Sequence, residues 1–541
     1  MLWTLWRYVG RELGKTFLMT AAGLTVVLTA GGLLRPLREQ GLTPVQIIQL
    51  VINLVPVMLT FSLPVAAFFA CTLVYGRLAA DNEISACRAG GVNLLHLMLP
   101  AFSLGAGVAA VILAFNCWLT PLFIQRAEKL VKNNLKEIFY HRMIKKGHYA
   151  YSATGMLIHA DWANPTQGVL QGVAAVKLSK GKPEQFLIAS AANVSFDRNA
   201  QPPTVAFRLS DVLYSDAFRK TLAYEAEQSV GPIELASKFK YKVKFMNLRQ
   251  LREALGDPEA AAPVRSLVSR LRERIIFRTF REEFTHAMNA SGRYDLSGLD
   301  GRLYRFSFST AGKQNHSDNT NLDSFGPVTI QVFQQGKLIR SLQARQASFV
   351  ASGKQVISEP DRHPETTVTL TAVTIRHEDG PIEYTSSKAR YHLGPLQLPS
   401  RIWQGVLTAP LEKLVSESFE TDDADSEKKS DSVSRFIKRV RAELKTFRAE
   451  LEAEIHARMS FALAGCLLVI LGTALGIIFK GGHILTASGV TFIPALTTML
   501  LIIAGRQWAE KAPVYGIGLI WLGNLLLAAA IGVVFTRYLR R

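Results

Sequence analysis

The sequence predicts a membrane α plus β fold: six transmembrane helices, three at each end, flanking a large β-jelly-roll-like domain with helical insertions. Three observations predict it. Asp, Glu, Lys and Arg are absent from six long runs, 16–34, 40–76, 89–125, 459–479, 481–505 and 512–536. Between the two groups of runs the hydrophobic period changes to two. Hydrophobic residues make up 48% of the chain although its middle is polar, so the ends are very apolar.

Residues 1–125 form the first bundle, with spans at about 16–34, 45–76 and 94–121. A membrane-crossing helix needs about 20 mostly apolar residues. The second run exceeds one span, and Pro44, Pro56 and Pro64 are expected to bend it. Arg7, Arg11 and Lys15 precede the first run as they would a signal peptide. The sequence Thr29-Ala30-Gly31-Gly32 is a poor cleavage site and more spans follow, so the run reads as a retained helix.

Residues 126–431 form the β-rich domain. After a basic, helix-like stretch at 126–147, seven segments read as strands: Gly155–Ala160, Val169–Leu178, Phe186–Phe196, Val205–Tyr214, Val328–Phe333, Val368–Ile375 and Ile382–Tyr391. They are rich in Val, Ile, Thr, Phe and Tyr, and turn residues separate them. Segments 190–212 and 345–375 echo each other, an internal repeat or a coincidence. A helical insertion is expected over about 246–290, broken near Gly256-Asp257-Pro258, and a mobile linker over 421–431.

A charged, solvated helix at 432–458 leads into the second bundle, 459–541, with spans at about 457–479, 484–506 and 513–537. Lys and Arg near the membrane set topology. Arg7, Arg11 and Lys15, then Arg77 and Arg88, then Lys480, then Arg537, Arg540 and Arg541 all fall on one side of a six-span chain. That side is expected to be the cytoplasm. Arg35 and Arg38 fall on the other side with the β-rich domain, against the rule. Phosphate binding would explain them, and so would snorkelling to ordinary headgroups.

Signatures of catalysis are missing. No His-Glu-x-x-His, Gly-x-Ser-x-Gly or phosphate-loop pattern occurs, and the charge-free runs hold no ionisable relay. Cys71, Cys87, Cys117 and Cys466 are isolated, with no metal-like spacing. The net charge of +19 is concentrated around the apolar runs, which fits lipid headgroups and argues against nucleic acid. Any transport energy must therefore come from another subunit. The loop between the second and third runs carries signals of a short helix: Asp81 as N-cap, Glu83 in the first turn, Gly90-Gly91 as terminator. Such a helix suits a motor cleft; a plain solvated turn gives the same pattern.

Residues 54–93, "LVPVMLTFSLPVAAFFACTLVYGRLAADNEISACRAGGVN", resemble the second span and coupling loop of the LptF/LptG (YjgP/YjgQ) lipopolysaccharide export permeases. "RYVGRELGKTF" (7–17) and "EIHARMSFALAGCLLVILGTALGI" (454–477) resemble that family's opening and fourth span. The resemblance implies an inner-membrane permease subunit, not itself an enzyme, of an ATP-driven ABC-type exporter for lipopolysaccharide or a related lipid. It implies a cytoplasmic ABC ATPase dimer that uses ATP and Mg, a second LptF/LptG-like permease chain and a periplasmic LptC/LptA-like β-bridge. No cofactor or metal is implied for this chain. Glu83 stands at the family's coupling glutamate, with Asp81, Arg77 and Arg88 beside it, and Arg35 and Arg38 are placed for lipid phosphate. A membrane-anchored periplasmic scaffold is the alternative. A lipoprotein-release or MacB-type permease fits less well, because those chains insert their large domain after the first span.

Overall fold

The described parts of the charge-free runs are helical apart from short turns at their ends, because a backbone surrounded by hydrocarbon must satisfy its own hydrogen bonds. The computed structural model describes residues 2–39, 44–133, 135–151, 156–179, 182–197, 204–216, 221–234, 243–308, 321–325, 327–351, 364–377, 384–416, 432–479 and 484–539. The chain divides into two compact units, Met1–Arg252 with Ala449–Arg541, and Glu253–Arg448. The expected linker at 421–431 lies outside the described residues.

The first unit opens with α1 (Leu2–Glu39), α2 (Pro44–Ala80) and the short α3 (Glu83–Ala89). Then α4 (Leu94–Ala114) passes through a π-helical turn, Phe115–Leu119, into α5 (Thr120–Asn133) and α6 (Leu135–Lys146). Pro56 and Pro64 lie inside α2, while Pro44 is its first residue, where a missing N–H costs nothing.

The six-stranded sheet of this unit comprises β1 (His148–Tyr151), β2 (Met156–Asn164), β3 (Val169–Ser179), β4 (Lys182–Asp197), β5 (Thr204–Asp216) and β6 (Thr221–Glu234). It is an antiparallel meander in sequence order. Phe139, Tyr140 and Met143 of α6 pack against Leu170, Ala192 and Phe207 on its inner face. Pairing skips the row Asp161, Gly172, Ser190 and Asp211. Gly172 and Asp211 have φ of 60° and 53° there. A Cβ at Gly172 would lie 2.0 Å from Asp161 Oδ2, so only glycine fits this bulged row. Because the row inserts one residue, apolar side chains stay inward on both sides of it: Val173 and Leu170, Ala189 and Ala192, Val212 and Leu209.

A 3₁₀ turn at Val243–Phe245 and α7 (Leu248–Gly256) follow the sheet. In the second unit α8 (Ala262–Ser291) precedes β7 (Arg293–Gly298), β8 (Leu303–Phe308), β9 (Asn321–Phe325), β10 (Val328–Gln334), β11 (Lys337–Ala351), β12 (Glu365–His377) and β13 (Tyr384–Gln397). Two short helices, α9 (Ser400–Thr408) and α10 (Leu411–Val415), end it. The strand order is β10-β8-β7-β13-β12-β11-β9, and β10 also pairs with β11. Six strands therefore close into a barrel-like ring, with β9 paired to the far half of β11. Phe280 and Phe284 of α8 meet Tyr294, Phe306 and Phe349 edge-on, at centroid distances of 4.9–6.2 Å. One helix thus fills the apolar side of the ring with aromatic rings.

The single β-rich domain expected from sequence is two antiparallel sheets, one in each unit. Neither is laid out as the expected jelly roll: one is a meander, the other a ring. The echoing segments fall on β4–β5 and β11–β12, long antiparallel pairs of different sheets. The insertion at 246–290 is helical, interrupted after Gly256 as its Asp257-Pro258 pair requires.

The chain ends with α11 (Ser432–Ile478), α12 (Ile484–Ala509), α13 (Pro513–Val534) and a π turn, Phe535–Leu539. Among the described residues five helices are long and apolar enough to cross a membrane: Trp3–Gly32, Ile47–Ala80, Leu94–Ala127, Val433–Ile478 and Pro513–Arg537. The two bundles join where α11 meets α2. Gly472 and Gly476, one turn apart, let the backbones touch. A Cβ at Gly472 would be 2.9 Å from Phe68 O, and one at Gly476 2.8 Å from Thr72 O. Small residues at this spacing drive helix association in lipid, where apolar burial drives nothing. Polar ties reinforce the bundle: Thr25 to Ser62 at 2.7 Å, and Thr72 to Gly472 O at 3.3 Å.

Candidate functional site

The turn after α2 is built to present a small polar surface. Asp81 N–H donates to Arg77 O and Asn82 N–H to Ala79 O, which closes α2. Asn82 then turns at φ 60°, a conformation that asparagine tolerates. The expectation that Asp81 caps α3 is corrected here: Asn82 occupies the cap position, and no side chain caps the helix. Gly90 and Gly91 do end it. Gly90 N–H donates to Ala86 O, and Gly91 sits at φ 81°. Asn93 then caps α4 by accepting from Leu95 N–H at 3.0 Å.

One side chain pins α3 down. Ile84 is buried in a cluster with Val9, Leu13, Leu78 and Leu97. Beneath it the buried Tyr75 hydroxyl donates to Leu97 O at 2.9 Å, tying α2 to α4. Asp81, Glu83 and Arg88 are exposed. Arg77 is exposed too, but it reaches sideways to Glu12 of α1 at 3.3 Å. The platform is therefore a seven-residue helix held by one apolar anchor, offering Asp81, Glu83 and Arg88 outward. The ends of α11 and α13 approach the same end of the bundle, where Ala474 and Phe535 pack with Met98 and Leu94 of α4.

Arg35 and Arg38 belong to α1 by backbone, and their side chains lie outside the described residues. Among the described residues no group of three or more His, Cys, Asp or Glu could hold a metal ion.

Sequence reasoning missed a second polar cluster. Residues 432–458 were expected to be solvated, yet Glu454 and Arg458 on α11 are buried. They pair at 2.9 Å, and Arg506 of α12 lies 3.5 Å from the other oxygen of Glu454. Arg458 also donates to Met246 O at 2.7 Å and to Lys244 O at 3.3 Å. Gln125 of α5 donates to the intervening Phe245 O at 3.4 Å. The connector that leaves the six-stranded sheet is thus held by side chains of the bundle. The available signal was the i,i+4 Glu-Arg spacing directly against a charge-free run, where two charges adjoin hydrocarbon.

The six-stranded sheet also keeps apolar side chains on its outer face. Leu157, Phe186, Ile188, Leu213 and Tyr224 are exposed. Their registers place Ile188 beside Leu213, and Leu213 beside Tyr224.

Compared with known families, the chain matches the model described as lipopolysaccharide export system permease LptF/LptG, over residues 7–276 and 302–537. Comparison with individual curated proteins finds no match.

Proposed function

This chain belongs to the LptF/LptG family of lipopolysaccharide export permeases, and we propose that it is the membrane subunit through which a separate cytoplasmic ATPase dimer drives lipid extraction. The observation that carries the reading is the α3 platform, with Glu83, Asp81 and Arg88 exposed around a buried Ile84. An anchored helix of this size transmits a push, because Ile84 is seated on α1, α2 and α4 together. Glu83 docks the ATPase, Asp81 and Arg88 flank it, and Arg77 steadies α1 through Glu12. ATP is hydrolysed, with Mg as its counter-ion, by that partner, and this chain does no chemistry.

In this reading α12 also crosses the membrane, as the fifth of six spans. Both termini are cytoplasmic, and the two sheets are periplasmic. A second LptF/LptG-like chain completes the cavity, and Arg35 and Arg38 meet lipid phosphates at the outer end of α1. The exposed apolar face of the six-stranded sheet supports a route for acyl chains toward a periplasmic LptC/LptA-like β-bridge, since an exposed patch of this kind marks a binding surface. The test is affinity purification of the detergent-solubilised chain, wild type against Glu83→Arg. An ATPase and a second permease chain copurifying with wild type, and the ATPase lost with Glu83→Arg, are expected. A partner set indifferent to Glu83, or a chain that emerges alone, overturns the reading in favour of a membrane-anchored scaffold.

A further inference from the structure

A second site lies between α1 and α4, on the opposite flank of α1 from the Glu12–Arg77 contact. Between them lies a groove of about 550 Å³ whose floor includes Leu13, Leu63 and Val108. That volume lies within the range of small-molecule sites. Its walls include Gly10 and Gly14 of α1 and Gly107 of α4. These glycines are not there for close helix packing. A Cβ at any of the three would meet nothing within 4 Å, whereas at Gly472 and Gly476 it would strike backbone. They widen a space.

Trp6 ties α1 to α4 at one end of the groove: it lines the space and donates its indole N–H to His96 O at 2.9 Å. Arg7 follows Trp6 at that end and Arg11 lies one turn further along α1, both outside the groove lining. Arg7 lies three residues before Gly10 and seven before Gly14, on the same helix face. Both arginines are exposed, and neither has an ion pair among the described residues. Lys15, one turn further along, is already paired with Glu12 at 3.8 Å.

We propose that this groove binds one acyl chain of an anionic glycerophospholipid whose phosphate is held by Arg7 and Arg11. An apolar trough in a membrane helix pair, with two guanidinium groups on the adjoining turns of α1, is complementary to a phosphate joined to a hydrocarbon chain. Arginine recognises phosphate with paired hydrogen bonds. A partner helix fits less well: it is about 10–12 Å across with side chains, and it gives the two arginines no anion. The groove shares Leu13 with the apolar cluster beneath α3, but its reading does not depend on how that platform is used.

The full chain is reconstituted with equimolar phosphatidylglycerol and phosphatidylcholine, re-extracted in mild detergent, and its retained lipid is counted by native mass spectrometry. Wild type is expected to hold one phosphatidylglycerol, enriched over phosphatidylcholine roughly thirtyfold, the scale of two arginines near a headgroup. Gly14→Leu fills open space, so it should keep its melting temperature while losing the retained lipid; Gly107→Leu is the second variant of the same kind. Arg7→Gln with Arg11→Gln should still retain lipid but lose the preference. Equal retention in both leucine variants, or an enrichment indifferent to the arginines, overturns the proposal. So does a Gly107→Cys variant that crosslinks to a protein helix instead of to lipid.

Discussion

Arg458 is the residue whose loss the structure prices most clearly. Arg458→Met keeps the length of the stem and removes the guanidinium. Three interactions go: 2.9 Å to Glu454, 2.7 Å to Met246 O and 3.3 Å to Lys244 O. Glu454, itself 6% exposed, keeps only Arg506 at 3.5 Å. Breaking a buried pair by removing one partner costs about 3–5 kcal/mol, because the charge left behind remains out of water. The two carbonyls lose a charged donor, which is of comparable weight. For a unit of this size the melting temperature should fall by roughly 5–15 °C, measured by intrinsic fluorescence in detergent. The double variant Arg458→Met, Glu454→Leu removes both charges. Its loss should fall short of the sum of the single losses by about 2 kcal/mol or more. Single losses below about 1 kcal/mol that simply add would refute the argument, since the pair would then behave as an exposed one.

Two further outcomes follow from packing and titration. Gly476→Leu would put a side chain where a Cβ is already 2.8 Å from Thr72 O. A loss of at least about 3 kcal/mol is expected in the same melting assay, and an unshifted transition would show that α2 and α11 do not meet there. Glu273 on α8 has its carboxyl pushed up from the ordinary 4.5 by burial, with Arg274 and Arg270 offsetting part of the rise. A raised acid is most at home protonated, so its favourable contribution is complete below pH 4.5 and disappears as pH rises through the folded value. Glu273→Gln should therefore stabilise the second unit at neutral pH and have no effect below pH 4, read from unfolding curves at each pH. A variant less stable at pH 7 would mean that the two arginines outweigh burial.

What was legible in the sequence is what periodicity and absence of charge encode. The helices follow from charge-free runs, and β3, β4, β5, β10 and β12 from alternating apolar residues. β6 escaped because Thr221–Glu234 mixes Glu225, Glu227 and Gln228 with Gly231-Pro232, which hides the apolar alternation. β11 escaped because its outward positions carry Gln343, Arg345 and Gln346. The β10–β11 hairpin is local, turned at Gln335-Gly336 with both residues at positive φ; ring closure was out of reach because β13 pairs with β7, far away in sequence. At the candidate site, Ile84 as anchor and Gly90-Gly91 as terminator are local and readable. Which residue precedes α3 depended on a left-handed Asn82, and Glu12 as the partner of Arg77 depended on how α1 lies against α2.

The position of α11 explains why a glycine pair and a buried ion pair matter together. Gly476 meets α2 within one residue of Arg77, where the α3 platform begins. Arg458, eighteen residues earlier, holds the connector leaving the six-stranded sheet. At 1.5 Å per residue these points lie about 27 Å apart on one uninterrupted helix. An α-helix does not compress along its axis without breaking hydrogen bonds, so a displacement of its lower end must either move the upper end or bend the helix. No proline lies within Ser432–Ile478 to provide a bend. The Glu454–Arg458 pair is placed where such a displacement would arrive. A buried salt bridge is a weak source of stability but fixes geometry well, and geometry is what an element joining a platform to a sheet has to keep.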